Sequence, residues 1–194
     1  MEWEFRLLDY FRSHRTKALD VLMPFFSYIG NVGIVWILIS LTLTLIPATR
    51  FCGVCVLGGA FLASAFANLV VKPFAKRLRP FERRPDVGML VRWRPHGSSF
   101  PSGHSTTSFG GALGGTLGFA WVFGGWIAAA ASVVLFFLAI SIAFSRMYLY
   151  LHFPTDVFVG AVVGLCFGAG VPFGAAALFG WLSTVLPAFF TAVW

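Results

Sequence analysis

The chain has 194 residues, of which 58% are hydrophobic and 11% are charged, and its mean hydropathy is +0.84. Soluble domains usually contain about 25% charged residues, so this composition excludes an ordinary soluble domain and indicates an integral membrane protein. The net charge is +7, and eight of the 14 Lys and Arg residues lie between positions 72 and 94. A cluster of this kind at a membrane surface attracts anionic head groups or a phosphorylated substrate, and we predict no nucleic-acid partner.

The first part of the chain, residues 4–28, mixes charged and aromatic side chains, and Asp20 makes it a poor membrane span. We predict an amphipathic helix in the membrane interface that leads into the first span. A spanning helix needs about 20 mostly apolar residues. Six segments approach this pattern: 33–47, 51–71, 105–123, 126–144, 157–171 and 173–193. The predicted fold is therefore all-α, an integral membrane bundle of six transmembrane helices with an N-terminal interfacial helix, in a single domain over residues 1–194.

Small residues recur inside the predicted spans at a spacing that suits helix packing. Two sets of glycines repeat every fourth residue: Gly110, Gly114, Gly118, and Gly160, Gly164, Gly168. Such glycines let helix backbones approach closely in a membrane, so we predict that they form packing faces. Cys52 and Cys55 have the spacing of a redox or metal-binding pair, but no further ligand lies nearby in the sequence. We predict that they are small residues at a helix interface.

Polar and ionisable residues, which are unusual in a membrane segment, cluster at the ends of four predicted spans. The second span ends near Lys72, the third begins near Ser102, the fourth ends near Arg146 and the fifth begins near Asp156. Counting the crossings places all four ends on one side of the membrane. Ionisable residues at membrane depth are costly, which makes this shared rim the predicted functional site.

Three cations at this rim suit a phosphate group. Arg donates two parallel hydrogen bonds to phosphate oxygens, and Lys acts as a point charge. Lys72 and Arg79 are seven residues apart, so on one helix they would share a face, although Pro73 and Pro80 interrupt that pattern. Arg146 would reach the same place from the end of the fourth span. Together they would offset the charge of a phosphate and of its transition state.

Residues 100–105 have the features of a helix start that binds an anion. Pro and Ser are favoured at this position, and the free backbone N–H groups attract negative charge. Ser102 and Gly103 are therefore predicted to bind phosphate, with Gly103 allowing close backbone approach. His104 follows directly and is predicted to give a proton to the departing oxygen.

A second histidine lies at the start of the next predicted helix. Pro154 favours a helix start there, and Asp156 follows His152 by four residues. We predict that Asp156 accepts a hydrogen bond from one ring nitrogen of His152. That bond would leave the other nitrogen free to attack phosphorus.

These residues fall into three blocks in chain order. They are Lys72, six residues, Arg79 and Pro80; then Pro101, Ser102, Gly103 and His104; then Ser145, Arg146, five residues, His152, three residues and Asp156. This pattern closely resembles the three-part motif of the type 2 phosphatidic acid phosphatase (PAP2) family, which shares its pocket with vanadium haloperoxidases. The resemblance covers residues 72–156 and is complete at every motif position.

The resemblance implies a six-helix lipid phosphatase in which His152 forms a phosphohistidine and Asp156 orients it. His104 would protonate the leaving group and later activate water. The phosphate would be held by five residues: Lys72, Arg79, Ser102, Gly103 and Arg146. Members of the family need no metal or other cofactor, and the sequence contains no carboxylate cluster of the kind that magnesium favours.

The substrate expected from the resemblance is a membrane lipid phosphate, with undecaprenyl pyrophosphate favoured over phosphatidylglycerol phosphate and phosphatidic acid. The basic loop is expected to select the head group, or else to attract anionic lipid in general: Arg83, Arg84, Arg92, Arg94 and His96. Three other classes stay open. They are a transporter, a serine protease that uses Ser102 with a histidine, and a vanadate-dependent oxidase.

The orientation in the membrane has two opposed indications. The positive-inside rule would place the basic side in the cytoplasm. The resemblance implies an active site on the outer face of the bacterial plasma membrane. Because these cations have a substrate-binding role to fill, they are poor markers of orientation, and we predict the outer face.

Overall fold

The computed structural model describes residues 2–91 and 93–185, and within them every regular element is helical. The α-helices are α1 (Glu2–Ser13), α2 (Lys17–Ile29), α3 (Ile34–Leu45), α4 (Arg50–Ala65), α5 (Lys72–Ala75), α6 (Pro80–Arg83), α7 (Gly103–Val122), α8 (Gly125–Tyr148) and α9 (Pro154–Val185). A π-helical segment, Phe66–Val71, joins α4 to α5. The prediction of an all-α protein is confirmed.

Helix α7 is the centre of the bundle, packed against α4, α8 and α9. The predicted glycine faces form these contacts. A methyl group on Gly110 would collide with the carbonyl of Gly59 in α4, and one on Gly164 would lie 2.5 Å from the carbonyl oxygen of Thr106. The backbones therefore touch where side chains are absent, as small residues allow in membrane helices. Cys52 and Cys55 are buried against Gly118 of α7, which confirms their predicted place at a helix interface.

The outer surface of the bundle is apolar. On α8 the exposed side chains include Val133 and Phe137, and on α9 they include Phe158 and Phe173. Exposure of so much apolar surface is unfavourable in water but favourable in the hydrocarbon core of a bilayer. In the described part of the chain, three helical segments are long and apolar enough to cross a membrane: 47–83, α8 and α9. A fourth is added if α2 and the bent continuation through α3 count as one span.

The predicted count of six spans is not confirmed. The segments predicted as separate spans over 157–171 and 173–193 are joined, as far as residue 185, in one continuous helix, α9, which contains Pro172. Residues 186–194 lie outside the described part. Helix α7 matches the predicted span 105–123, but its high content of Gly, Ser and Thr keeps its hydropathy low. A low hydropathy is compatible with its central position, because α7 faces other helices and not lipid.

The predicted single interfacial helix over 4–28 was also wrong in its extent, because the segment forms two helices. The hydroxyl of Thr16 accepts a hydrogen bond from the backbone N–H of Leu19 at 3.3 Å and so begins α2 as a new helix. Helix α1 does not lie free in the interface. Its Leu8 is buried in a cluster with Tyr150 and Phe153, which belong to the loop between α8 and α9.

A sharp bend separates α2 from α3, and it matters for the site. The two helices meet at 55°. Val32 and Gly33 both have positive φ angles, 54° and 71°, which end one helix and redirect the chain. The bend therefore leaves the end of α2 at the polar rim, while α3 runs down beside α4.

Candidate active site

Backbone hydrogen bonds join the helix ends that carry the predicted site residues. The N–H of Ser102 donates to the carbonyl of Asp156 at 2.9 Å, which ties the start of α7 to the start of α9. The carbonyl of Arg146 accepts from the N–H of His152 at 3.2 Å, which ties the end of α8 to the following loop. The structure thus brings the second and third sequence blocks to one rim.

His152 is buried at the centre of this rim with a defined tautomer. Its Nδ1 lies 2.7 Å from the carbonyl oxygen of Ser99, which can only accept, so Nδ1 carries the proton. Its Nε2 lies 3.0 Å from Nη1 of Arg79, which can only donate, so Nε2 bears the lone pair. The ring is therefore held with its unprotonated nitrogen facing a guanidinium.

The predicted hydrogen bond between His152 and Asp156 is not formed. Oδ2 of Asp156 lies 3.7 Å from Nδ1 of His152, beyond hydrogen-bonding distance, because the Ser99 carbonyl takes that position. Asp156 instead accepts from the N–H of Phe153 at 2.8 Å and from Nη1 of Arg77 at 2.6 Å. The carboxylate is next to the ring and is anchored by other groups.

The surroundings of His152 favour its neutral form. Burial lowers the pKa of His152 well below its ordinary value, and the positive charges of Arg79, Arg146 and Lys72 lower it further. A neutral imidazole keeps a lone pair on Nε2. This is the protonation state that a nucleophile needs.

Lys72 and Arg79 do not share a helix face as predicted. Helix α5 ends after Ala75, and Lys76 has a positive φ angle of 41°, so the chain turns before it reaches Arg79. Arg79 is buried and donates from Nη1 to the carbonyl of Leu151 at 3.2 Å as well as to His152. Lys72 donates to Oδ1 of Asn68 at 2.8 Å and approaches the site from another side.

Arg146 is almost fully buried, 1% exposed, near the end of α8. Its Nη1 donates to the hydroxyl of Ser27 on α2, and its guanidinium lies 5.6 Å from the ring centre of Trp93. Its Nε is buried and has no hydrogen-bond partner among the described residues. A buried donor of this kind is costly unless another group, such as a phosphate oxygen, accepts from it.

His104 points towards the bend between α2 and α3. Its Nε2 lies 3.2 Å from the carbonyl oxygen of Ser27 and 3.1 Å from Oδ1 of Asn31. Because the Ser27 carbonyl only accepts, Nε2 carries the proton. One α2 residue, Ser27, therefore contacts both His104 and Arg146.

A polar cavity of about 270 Å³ lies at the start of α7, and it is lined by Lys72, Gly103 and His104 among others. A methyl group on Gly103 would lie 3.3 Å from Nζ of Lys72, so the missing side chain leaves room beside that cation. Ser102 is fully buried, and its hydroxyl accepts from the N–H of Ser105 at 3.4 Å as the cap of α7. Gly103 thus faces the cavity, while Ser102 begins the helix.

An apolar cleft of about 590 Å³ adjoins this polar region. Helix α2 lines it with Phe25 and Tyr28, and the loop between α6 and α7 lines it with Val91 and Trp93. Ser27, which contacts His104 and Arg146, also lines the cleft. A hydrocarbon chain attached to a phosphate at the rim would have an apolar surface beside it.

The basic loop has mixed roles in the structure. Arg84 forms an ion pair with Asp9 of α1 at 2.7 Å and stacks on Phe5 at 3.9 Å, so it joins α1 to this loop. Arg94 lies 5.9 Å from the ring centre of Phe81. Arg92 lies outside the described residues. Among the residues described, no group of three or more His, Cys, Asp or Glu side chains is positioned to hold a metal ion.

Four residues that the sequence did not indicate contact the predicted set: Ser27, Asn31, Arg77 and Ser99. Ser99 acts through its carbonyl, which no side-chain pattern reveals. Ser27 lies at the end of α2 and Asn31 in the bend after it, both more than 70 positions away from His104 in sequence. Arg77 belongs to the run of positive residues, but its sequence position does not distinguish it from its neighbours.

Comparison with known proteins agrees with this geometry. Residues 53–186 match the model of the PAP2 superfamily. The chain is 29% identical to an undecaprenyl-diphosphatase of Sulfolobus acidocaldarius over 82% of this chain and 71% of that protein. It is 35% identical to a decaprenylphosphoryl-5-phosphoribose phosphatase of Mycolicibacterium smegmatis over 69% of this chain and 67% of that protein.

A solved structure has the same fold. The transmembrane PAP2-type phosphatidylglycerolphosphate phosphatase of Bacillus subtilis superposes with a TM-score of 0.70. The match covers 91% of this chain and 84% of that one at 21% identity. Identity at this level is evidence for a shared fold and not for a shared substrate.

Proposed function

Because the chain belongs to the PAP2 superfamily, whose members similar to it are phosphatases, we propose that it hydrolyses a membrane lipid phosphate or diphosphate through His152. The observation that carries this proposal is the environment of one nitrogen. His152 Nε2 is unprotonated, faces Arg79 at 3.0 Å and lies among three cations. An electron-pair donor surrounded by positive charge suits attack on the phosphorus of an anionic ester.

The proposed reaction has two displacements. In the first, Nε2 of His152 attacks phosphorus, the bond from phosphorus to the leaving oxygen breaks, and His104, as an imidazolium, donates a ring proton to that oxygen and becomes neutral. In the second, His104 takes a proton from water, whose oxygen attacks the phosphohistidine. The nitrogen–phosphorus bond then breaks and releases phosphate. Asp156 would stabilise the positive charge that the His152 ring carries while it is phosphorylated.

Lys72, Arg79 and Arg146 would bind the phosphate oxygens, together with the start of α7 at Ser102 and Gly103. On binding, phosphate oxygens would replace Nε2 of His152 as the acceptor for Arg79. They would also accept from Nε of Arg146, for which the described part of the chain offers no acceptor. The first change exchanges one hydrogen bond for another and frees Nε2 for attack, whereas the second supplies a hydrogen bond that the described residues do not.

The substrate we favour is undecaprenyl pyrophosphate, with phosphatidylglycerol phosphate and phosphatidic acid as alternatives. Two relatives are named for polyprenyl phosphate substrates, an undecaprenyl diphosphate and a decaprenylphosphoryl sugar phosphate. The apolar cleft beside Trp93 would receive the first part of the lipid chain. A membrane substrate could then place its phosphate at the rim while its chain stays in hydrocarbon.

We place α7 across the membrane with the other long helices, because it is packed between α4 and α9 over its length. The active rim would face the outer side of the bacterial plasma membrane. An Asp86→Cys variant in a background without Cys166 tests this orientation, since Asp86 is exposed near the rim. Labelling of intact spheroplasts by an impermeant maleimide is expected, whereas labelling only after lysis would reverse the orientation.

Phosphate release by purified protein in detergent tests the activity. Wild type, His152→Ala and His14→Ala would be compared on undecaprenyl pyrophosphate, phosphatidylglycerol phosphate and phosphatidic acid. His14 is exposed, and among the described residues it bonds only to the end of α1, so its variant is the matched control. Release by wild type and His14→Ala but not by His152→Ala is expected, and the highest kcat/KM identifies the substrate. Wild-type release that persists in His152→Ala would refute the mechanism.

A further inference from the structure

A second group of charged residues lies directly behind His152, and only Asp156 belongs to the three-part motif. Arg77, from the segment between α5 and α6, donates from Nη2 to Oε2 of Glu4 at 2.7 Å. It donates from Nη1 to Oδ1 of Asp156 at 2.6 Å and to Oγ1 of Thr155 at 2.7 Å. The Thr155 hydroxyl in turn donates to Glu4. The network therefore joins α1, the basic segment and α9.

The burial of this network makes it unlike an ordinary surface ion pair. Side-chain exposure is 3% for Glu4, 0% for Asp156 and 18% for Arg77. The guanidinium of Arg77 also lies over the ring of Phe153 at 4.3 Å. Burial of charge is costly, and removal of one partner leaves the others unpaired, so such a group is sensitive to any single loss. Removal of one partner from a surface ion pair costs little stability.

The network acts on the backbone next to His152. Arg77 binds Oδ1 of Asp156, and Oδ2 of the same carboxylate accepts from the N–H of Phe153 at 2.8 Å. Phe153 directly follows His152. Asp156 is thus held from both sides, which fixes its Oδ2 at 3.7 Å from Nδ1 of His152.

We propose that Arg77 and Glu4 are positioning residues that hold Asp156, and through it His152, in the geometry required for attack on phosphorus. The inference rests on the proposed function. Neither residue touches the phosphate, and their effect passes through Asp156 Oδ1. When His152 Nε2 binds phosphorus, the ring retains its Nδ1 proton and becomes positively charged. A carboxylate held beside Nδ1 stabilises that charge without having to reorganise.

The same two elements supply a matched control. Arg84 and Asp9 also join the basic segment to α1 through an ion pair of 2.7 Å, but their side chains are 40% and 44% exposed and do not contact Asp156. Arg84→Met therefore removes a link of similar geometry between the same parts of the chain. Asp9 keeps its hydrogen bond from the Tyr150 hydroxyl in that variant.

The kinetic test compares kcat and KM for release of phosphate from undecaprenyl pyrophosphate by wild type, Arg77→Met, Glu4→Gln and Arg84→Met. Loss of orientation of a reacting group typically costs up to about 100-fold in rate, so we expect Arg77→Met to lower kcat by about 10- to 100-fold with KM nearly unchanged. Glu4→Gln, which keeps the shape of the side chain, should lower kcat less, and Arg84→Met should match wild type. Equal kcat for Arg77→Met and Arg84→Met would overturn the inference.

A second measurement does not depend on turnover. The ¹⁵N NMR spectrum of histidine-labelled protein reports which ring nitrogen of His152 carries the proton, with His152→Ala used for assignment. All three proteins should keep the proton on Nδ1, where the Ser99 carbonyl accepts it. Wild type and Arg84→Met should give the same sharp Nδ1 resonance, whereas Arg77→Met should shift or broaden it, because Asp156 is then no longer held at a fixed distance from that nitrogen. An unchanged spectrum for Arg77→Met would overturn the inference even if no lipid is hydrolysed, and absence of hydrolysis by wild type would refute the proposed function alone.

Discussion

Single side chains in the site are oriented mainly by backbone carbonyls. The Ser99 carbonyl fixes the proton of His152 on Nδ1, and the Ser27 carbonyl fixes the proton of His104 on Nε2. One histidine therefore presents a lone pair on Nε2, and the other presents a proton on Nε2. A nucleophile requires the first state. A proton donor requires the imidazolium, in which Nε2 keeps its hydrogen bond to Ser27 and Nδ1 carries a second proton.

The lowered pKa of His152 makes a prediction about pH. His152 attacks in its neutral form, and because its pKa lies below the ordinary value of 6.5, it stays neutral as the pH falls through that value. The acid limb of a plot of kcat/KM against pH should thus lie below pH 6.5. Activity should also fall as the pH rises, because His104 must be an imidazolium to donate a proton to the leaving oxygen. A profile from pH 4 to 10 checks both limbs, and a rate that rises steadily to pH 10 would contradict the roles of the two histidines.

Substitution of Gly103 tests the polar cavity. The methyl group of Gly103→Ala would lie 3.3 Å from Nζ of Lys72, so the cation or the phosphate must move. We expect KM to rise about tenfold, equal to about 1.4 kcal/mol of lost binding. Gly88→Ala is the control, because a methyl group there meets nothing within 4 Å. Equal KM values for the two variants would place the phosphate elsewhere.

At the scale of helices, the site depends on how closely α4, α7 and α9 approach one another. The glycines of α7 contact α4, and those of α9 contact α7, including Gly160, which faces the carbonyl of Ser102. That contact lies at the start of α7. The same close packing that replaces a hydrophobic driving force in lipid also sets the positions of the helix ends that carry the site.

Gly110→Ala should therefore lower stability. Its methyl group would collide with the Gly59 carbonyl and force α4 and α7 apart, at a cost of about 1–3 kcal/mol for overpacking. Gly174→Ala in α9 meets no atom within 4 Å and should be neutral or should stabilise by up to about 1 kcal/mol through helix propensity. Thermal unfolding in detergent compares the two. A Gly110→Ala variant as stable as Gly174→Ala would mean that this helix contact is not tightly packed.

For the molecule as a whole, the polar groups gather at one rim, and the remaining surface is largely apolar. We predict that EDTA leaves phosphate release unchanged, because the proposed reaction uses cationic side chains in place of a metal ion to bind phosphate. The measurement is phosphate release before and after dialysis against EDTA, followed by addition of Mg²⁺. Activity lost on chelation and restored by Mg²⁺ would contradict the proposed mechanism.

The membrane character, the helical class and the composition of the candidate site could be predicted from the sequence. Hydrophobic content determines whether a chain dissolves in lipid, and motif residues such as His152 and Arg79 are recognisable because their spacing follows from helix ends. The packing role of glycines such as Gly110 could also be predicted, because they recur at every fourth residue. Such local patterns do not depend on which distant segment becomes the partner.

The tertiary structure alone decided which groups contact which. The separation of residues 4–28 into two helices, the union of 157–171 and 173–185 in α9, and the turn that separates Lys72 from Arg79 all depend on packing against other elements. His152 Nδ1 is hydrogen-bonded to the Ser99 carbonyl and not to Asp156, and Asp156 is hydrogen-bonded to Arg77. Hydrogen bonds depend on tenths of an ångström between atoms far apart in sequence, whereas hydrophobic patterning depends only on neighbours along the chain.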